Sequence, residues 1–365
     1  MDPEMEAQIE EFIARTHELD GKEVREREAW NTEASADAIR HFAYGTDDGN
    51  PLWLDPEHAA GSRHGKLVAP PAFLVSVLYP ILHGAPMEVP LSSLIGGVEF
   101  EWLRPVLAGE KLRADSVQKE SYEKTSRSGK RLIFVIGEFT YRNGEEVVAK
   151  ATGTMIRAPQ AGTELLLERS IHRYDDAERE RIEAAYRAET VRGAGELFWE
   201  DVEVGEEIPS ILRGPLTIGD MVAWNAALGP SYKAGRHGYL DLLKGRHNAV
   251  RNPVTGWLHK NSQQHEDFHL ASGRGMPGPF DNGVMRFAWT APLVTNWMGD
   301  GGFLRKLSVQ VRKPMLYGDT MEFRGKVSGK SREGEPAVEI EITGTNQEGE
   351  TATKGRAEVV LPARG

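Results

Sequence analysis

The sequence predicts an α+β fold written twice in one chain, each copy an antiparallel sheet wrapped around a buried central helix. Three observations lead there. The stretches Val98-Glu-Phe-Glu-Trp-Leu-Arg-Pro-Val-Leu-Ala-Gly-Glu-Lys-Leu112 and Val309-Gln-Val-Arg-Lys-Pro-Met-Leu-Tyr-Gly-Asp-Thr-Met321 share one pattern. Each is an alternating run, a basic residue and Pro, three residues, Gly, an acid, and a second alternating run. Period-two alternation marks half-buried strands, and Pro with Gly marks the break between them. Both stretches are followed by two further alternating segments, 131–141 and 146–156 in the first half, 336–345 and 351–361 in the second. Asn143-Gly144 and Glu348-Gly349 stand at the turns, as hairpins prefer. Finally, an apolar run of helix length precedes each strand set, 71–83 and 283–298. A sheet around one helix buries such a run economically.

Taken in order, residues 1–30 predict a surface helix and residues 31–160 the first sheet-and-helix unit, entered through a short amphipathic helix over 37–44. Residues 161–196 read as a charged linker; Asp175-Asp-Ala-Glu-Arg-Glu-Arg-Ile-Glu183 within it is the solvated face of an exposed helix. Residues 197–365 form the second unit, with its own short helix over 218–228 and an insertion at 229–264. Segments of that length often serve function, here as a lid or substrate loop. In the helix over 283–298, Val284, Phe287, Ala288, Ala291, Val294, Thr295 and Met298 share one face, and Pro292 predicts a kink.

Composition narrows the function. With 55 acidic against 44 basic side chains the net charge is −11, and no basic stripe with interleaved aromatics marks a nucleic-acid partner. No apolar run approaches the roughly 20 residues that span a bilayer, and the acidic start Met1-Asp-Pro-Glu-Met-Glu6 differs from a secretory signal; a cytoplasmic protein is expected. The absence of cysteine excludes disulfides, a thiol nucleophile and cysteine-held metals. No cofactor is expected.

The segment Phe42-Ala-Tyr-Gly-Thr-Asp-Asp-Gly-Asn-Pro-Leu-Trp-Leu-Asp55, followed by Gly65-Lys-Leu-Val-Ala-Pro-Pro-Ala-Phe73, resembles the N-terminal domain of MaoC-like dehydratases. Phe198-Trp-Glu-Asp-Val-Glu-Val-Gly205, His265-Glu-Asp-Phe-His-Leu-Ala271 and Gly275-Met-Pro-Gly-Pro-Phe-Asp-Asn-Gly283 are similar to that family's second domain. The resemblance implies a tandem double hot-dog acting on an acyl thioester of coenzyme A or acyl carrier protein. It implies (R)-specific enoyl-CoA hydration, or dehydration of a 3-hydroxyacyl thioester. In the family a His and an Asp five residues before it work on one water, while a backbone N–H at the helix start polarises the thioester carbonyl. Such a reaction needs a donor at the developing oxyanion and a near-neutral proton carrier. A further homodimer is compatible with the tandem arrangement.

Carried over residue by residue, the resemblance puts Asp48 at the first half's Asp position, Trp53 at its His position, and Pro71 or Ala72 near its oxyanion glycine. A proline there supplies no N–H, so the first half is expected to be non-catalytic and to shape an acyl tunnel. The second half keeps His265 and Gly283, but counting to its Asp position reaches Lys260 or Pro230, neither a carboxylate. Asp281 is the first choice for the missing acid, ahead of Asp241 and of Asp267, whose simpler role is a helix cap. Arg312, Lys313 and Arg104, at strand ends, are the expected cations for carrier phosphates. His265-Glu266-x-x-His269 matches the zinc-protease pattern, but Gly273, Gly275 and Pro277 end the helix too soon, and no metal is expected. Gly299-Asp-Gly-Gly302 reads as a helix stop. Two other readings stay open: a non-catalytic acyl-binding partner subunit, and a hot-dog enzyme for another acid–base elimination or cyclisation.

Overall fold

The computed structural model describes residues 3–87, 91–126, 129–159, 169–229, 233–244 and 249–364. The first half holds helices α1 (Pro3–His17), α2 (Ala36–Gly45), α3 (Pro51–Leu54) and α4 (Pro56–Gly61) and strands β1 (Lys22–Glu23), β2 (Leu91–Trp102), β3 (Leu112–Thr125), β4 (Arg131–Asn143) and β5 (Glu146–Pro159). Helix α5 (Asp176–Ala188) leads to β6 (Glu207–Arg213) and α6 (Ile218–Leu228). Next come α7 (Gly235–Lys244), the hairpin β7 (Ala249–Arg251) and β8 (Leu258–Lys260), and α8 (Phe268–Ser272). The long α9 (Gly283–Met298) precedes β9 (Phe303–Val311), β10 (Met321–Ser331), β11 (Ala337–Asn346) and β12 (Thr351–Val360).

The duplicated strand pattern closes into a single ten-stranded sheet, ordered β1-β3-β4-β5-β2-β9-β12-β11-β10-β6. The two sheets expected of the two copies are its two halves, joined edge to edge. Outward from the β2–β9 pair the halves repeat one another: β5 answers β12, β4 answers β11, β3 answers β10. Val98 stands opposite Val309 across that antiparallel junction and Phe100 opposite Leu307, while the shared motif matches Val98 with Leu307 and Phe100 with Val309. All four are buried, so apolar cross-strand pairs hold the halves together. The two Gly–acid turns take the left-handed backbone their glycines allow, with φ of 92° at Gly109 and 84° at Gly318.

Helix α9 matches its predicted bounds. Asn282 caps its start through Val284 N–H at 3.1 Å, every residue from Val284 to Met298 is buried, and Gly299 with positive φ ends it. Buried all round, it is a core helix rather than an amphipathic one; it packs on β9 and β2, with Phe287 stacked on Phe100 at 5.1 Å.

Its expected counterpart over 71–83 differs. Only a 3-10 turn forms, Pro71–Ser76. Pro80 would remove a helical hydrogen bond and clash with the preceding turn. The chain instead lies flat on the sheet, where a Cβ on Gly153 would run into the Pro80 carbonyl. The apolar content is nonetheless buried, from Ala72 to Tyr79. Helix α1 also departs from a plain surface helix: Ile9, Phe12, Ile13 and Thr16, at helical spacing, are buried, and the three apolar side chains cluster with Leu91 and Ile133. The linker helix α5 carries a full capping box between Asp175 and Glu178, and only Ile182 in it is buried. In the insertion, Trp257 is exposed and stacks on Tyr239; residues 230–232, including Pro230, and 245–248 lie outside the described residues, as do 160–168 of the linker.

Candidate active site

Two isolated bridges superimpose the halves at the level of single residues. Val68 pairs with Leu107 in the first Gly–acid turn and Phe280 with Leu316 in the second. Three residues beyond the bridge stands Pro71 in one half and Gly283 in the other, and 18 residues upstream of each stand Trp53 and His265. The structure thus resolves the choice between Pro71 and Ala72. The first copy offers an indole and a prolyl nitrogen where the second offers an imidazole and a backbone N–H.

His265 ends a 3-10 turn, Asn261–His265. Its ring packs edge-on against Phe280, and Nδ1 donates to the Phe280 carbonyl at 2.8 Å. A carbonyl only accepts, so the proton sits on Nδ1 and Nε2 keeps its lone pair. Burial holds the imidazole below its ordinary range, partly offset by that hydrogen bond and by Asp281. The ring is therefore neutral at physiological pH, as a general base should be.

Gly283 opens α9, where an amide has no intrahelical acceptor. A Cβ here would meet Ile95 Cβ at 2.7 Å, so β2 of the first half closes over the helix start and only glycine fits. Tyr79, also from the first half, donates to Asn282 Oδ1. Helix dipole and free N–H together favour a developing oxyanion at this point.

Asp281 is committed elsewhere. It forms a buried ion pair with Arg286, Oδ2 accepting from Nε at 2.9 Å and Nη2 at 2.5 Å, while Oδ1 accepts from Met315 N–H at 2.8 Å. With both oxygens held, it braces the α9 entrance and is corrected from proton carrier to structural anchor. Asp267 caps α8 through His269 and Leu270 N–H. Asp241 is engaged by Lys233 at 2.7 Å on α7. The cap at Asp267 also puts His265 and His269 on different helical elements, which separates the pair that the zinc-protease pattern requires on one face.

The expected carrier cations fare unequally. Arg104 is corrected: its guanidinium is bracketed by Glu146 and Glu110 at 2.8 Å each. Lys313 is likewise paired, with Glu350. Arg312 is exposed, and its guanidinium donates to Gln310 Oε1 at 2.7 Å. Trp53, Pro71, Phe73, Trp102 and Met298 line an apolar pocket at the first half's degenerate position.

One carboxylate that sequence reasoning passed over is Glu266, next to His265. Asn225 of α6 donates to its Oε1 at 2.6 Å, while Oε2 is sealed from solvent with no partner among the described residues. Burial pushes this carboxyl up to about 7, the Asn225 contact opposing. The signal was visible only as the Glu of the zinc-protease match. A raised folded-state pKa means stability present below pH ~4.5 and lost as pH rises through about 7. Urea unfolding at pH 5 and pH 8 should show wild type losing roughly 2–3 kcal/mol more than Glu266→Gln over that interval; equal losses would refute it.

The fold is a tandem double hot-dog, the architecture of solved MaoC-like dehydratases. Among solved structures, a MaoC-like dehydratase superimposes with a TM-score of 0.65 at 17% identity over 95% of this chain and 100% of that one. A MaoC-like dehydratase from Phytophthora capsici gives 0.55 at 12% identity over 95% and 98%. A Mycobacterium tuberculosis protein with a double hotdog fold gives 0.56 at 10% over 94% and 96%. At these identities the likeness is one of fold. Residues 21–150 match the model of the FAS1-like, dehydratase domain region family. A UPF0336 protein of Streptomyces avermitilis is 30% identical over 135 residues, 36% of this chain and 88% of that protein. Another from Parafrankia sp. is 36% identical over 125 residues, 32% and 79%. At this identity over most of those proteins' length, the chain belongs to the UPF0336 family.

Proposed function

We propose that the protein hydrates an enoyl thioester or dehydrates a 3-hydroxyacyl thioester, with CoA the favoured carrier. His265 Nε2 takes or returns the proton, and the Gly283 N–H receives the carbonyl oxygen as it gains charge. Glu266, protonated near neutrality, replaces Asp281 as the second proton carrier. The observation that carries this reading is the 2.8 Å bond from His265 Nδ1 to Phe280 O, which fixes the basic tautomer three residues from the start of α9. The first half contributes the wall, through Ile95 and Tyr79, but no base.

Crotonyl-CoA and longer enoyl-CoA thioesters, assayed with wild type and His265→Ala, test it. Turnover by wild type that disappears in the variant supports the reading. Equal turnover by both overturns the role of His265, and no turnover by either overturns the reaction, leaving an acyl-binding subunit or a different elimination. Further dimerisation and a cytoplasmic location belong to the same proposal; among the described residues, no helix is long and apolar enough to cross a membrane.

A further inference from the structure

The insertion at 229–264 is a basic segment in an acidic chain. Among its described residues Lys233, Arg236, Lys244, Arg251 and Lys260 stand against one acid, Asp241, whereas the whole chain carries −11. Asp241 is already shared by Lys233 at 2.7 Å and Lys244 at 3.8 Å. Arg236 and Arg251 are exposed, and among the described residues no carboxylate pairs with either. Arg251 donates instead to the neutral Gly256 carbonyl, at 2.6 Å.

These two cations flank an aromatic platform. Trp257 stacks on Tyr239 with ring centres 4.9 Å apart and planes 28° from parallel, yet it is 58% exposed. One face of the indole is therefore covered by the phenol and the other is open to solvent. Arg236 precedes Tyr239 by one turn of α7 and shares its face. Arg251 holds the carbonyl of the residue before Trp257. A single exposed indole is ordinary. One backed by a second ring and flanked by cations has the chemistry that binds a planar base and its phosphates.

The platform is tied to the site. Strand β8 runs directly into the 3-10 turn that ends at His265. Three strand residues and five in a 3-10 turn keep Trp257 within roughly 20 Å of His265. Asn252 fastens the hairpin there. Its Nδ2 donates to Asp267 Oδ2 at 3.0 Å, its Oδ1 accepts from the Val254 and Thr255 amides, and its own amide donates to the Trp257 carbonyl at 2.9 Å. The arm between a CoA thioester and its first phosphate has as many bonds as roughly four peptide residues, so it extends about 14 Å. The second phosphate and the ribose cover the remainder.

We propose that the insertion is the nucleotide-binding element for a CoA thioester, with adenine on the open face of Trp257 and phosphate oxygens on Arg236 and Arg251. The proposal rests on the thioester reading above, and it supplies the cations that Arg104 and Lys313, both paired with glutamates, do not. An acidic carrier protein would need the cations but not the open indole. A platform one base wide suits a mononucleotide rather than a strand.

Calorimetric titration of the full chain tests it with four probes: butyryl-CoA, butyryl-pantetheine, a butyryl-loaded acyl carrier protein, and adenosine bisphosphate, the nucleotide end of CoA. Wild type should bind butyryl-CoA more tightly than butyryl-pantetheine. Trp257→Ala should weaken butyryl-CoA by about tenfold and Trp257→Tyr, which keeps a stacking ring, by less. Neither should alter the affinity for butyryl-pantetheine. The double variant Arg236→Gln/Arg251→Gln should also weaken butyryl-CoA and flatten the salt dependence of its binding. Equal affinity of wild type and Trp257→Ala for butyryl-CoA overturns the proposal, and so does tighter binding of the carrier protein than of butyryl-CoA. Should wild type bind none of the three thioesters, the thioester reading fails separately. Adenosine bisphosphate binding that Trp257→Ala abolishes then upholds the nucleotide platform, and its absence overturns that too.

Discussion

Arg286→Met is expected to destabilise the protein by about 3–5 kcal/mol, seen as a lower urea midpoint at unchanged slope. Arg286 is fully buried in α9, and Asp281 beside it is almost equally enclosed. Removing the guanidinium leaves a carboxylate in an apolar interior with Met315 N–H as its remaining partner. The lost contacts to Thr353 Oγ1 at 2.7 Å and to the Ala352 carbonyl add to the cost. The double variant Asp281→Asn/Arg286→Met should recover more than half of it, because asparagine keeps an acceptor for Met315 and carries no charge. A single variant as stable as wild type would show that the ion pair is not what braces the α9 entrance.

His265→Ala is expected to lower kcat by about 10²–10⁴-fold, the usual worth of a positioned acid–base group. KM should change little, since Nε2 matters in proton transfer more than in ground-state binding. The pH profile carries a second signature. His265 is held below the ordinary imidazole range, so the acidic limb of kcat/KM, where the base becomes protonated, should fall below pH 6.5. Glu266 must stay protonated to donate, so activity should decline as pH rises past about 7. Glu266→Gln should remove that alkaline limb while leaving the acidic one in place. An alkaline limb that persists in Glu266→Gln would return the second proton carrier to an open question and leave His265 untouched.

Much of this was legible because strands and the core helix follow from local pattern. The motif shared by 98–112 and 309–321 predicted which strands match, and Val98 and Val309 turned out to face one another across the junction. Helix α9 could be delimited from its cap, its apolar residues and Gly299. The run over 71–83 misled because apolar content reports burial, not conformation; Pro80 and the contact with Gly153 decide the path. His265 and Gly283 were found from motif order. Asp281 was misassigned because its partner, Arg286, lies inside an apolar helix and is recognisable as buried only in three dimensions. Glu266 was missed for a related reason: what marks it is an Oε2 with no partner among the described residues, and sequence spacing does not record absences.

The β2–β9 junction has a consequence for how such a protein changes over generations. Where two identical subunits meet edge to edge, every substitution is made twice, and a proline at the oxyanion position would disable both centres together. Joining the copies in one polypeptide removes that coupling. Trp53 and Pro71 can accumulate on one side of the seam while His265 and Gly283 persist on the other, with Val98 against Val309 still fastening the pair. The inherited symmetry is thereby kept in the backbone and released in the chemistry.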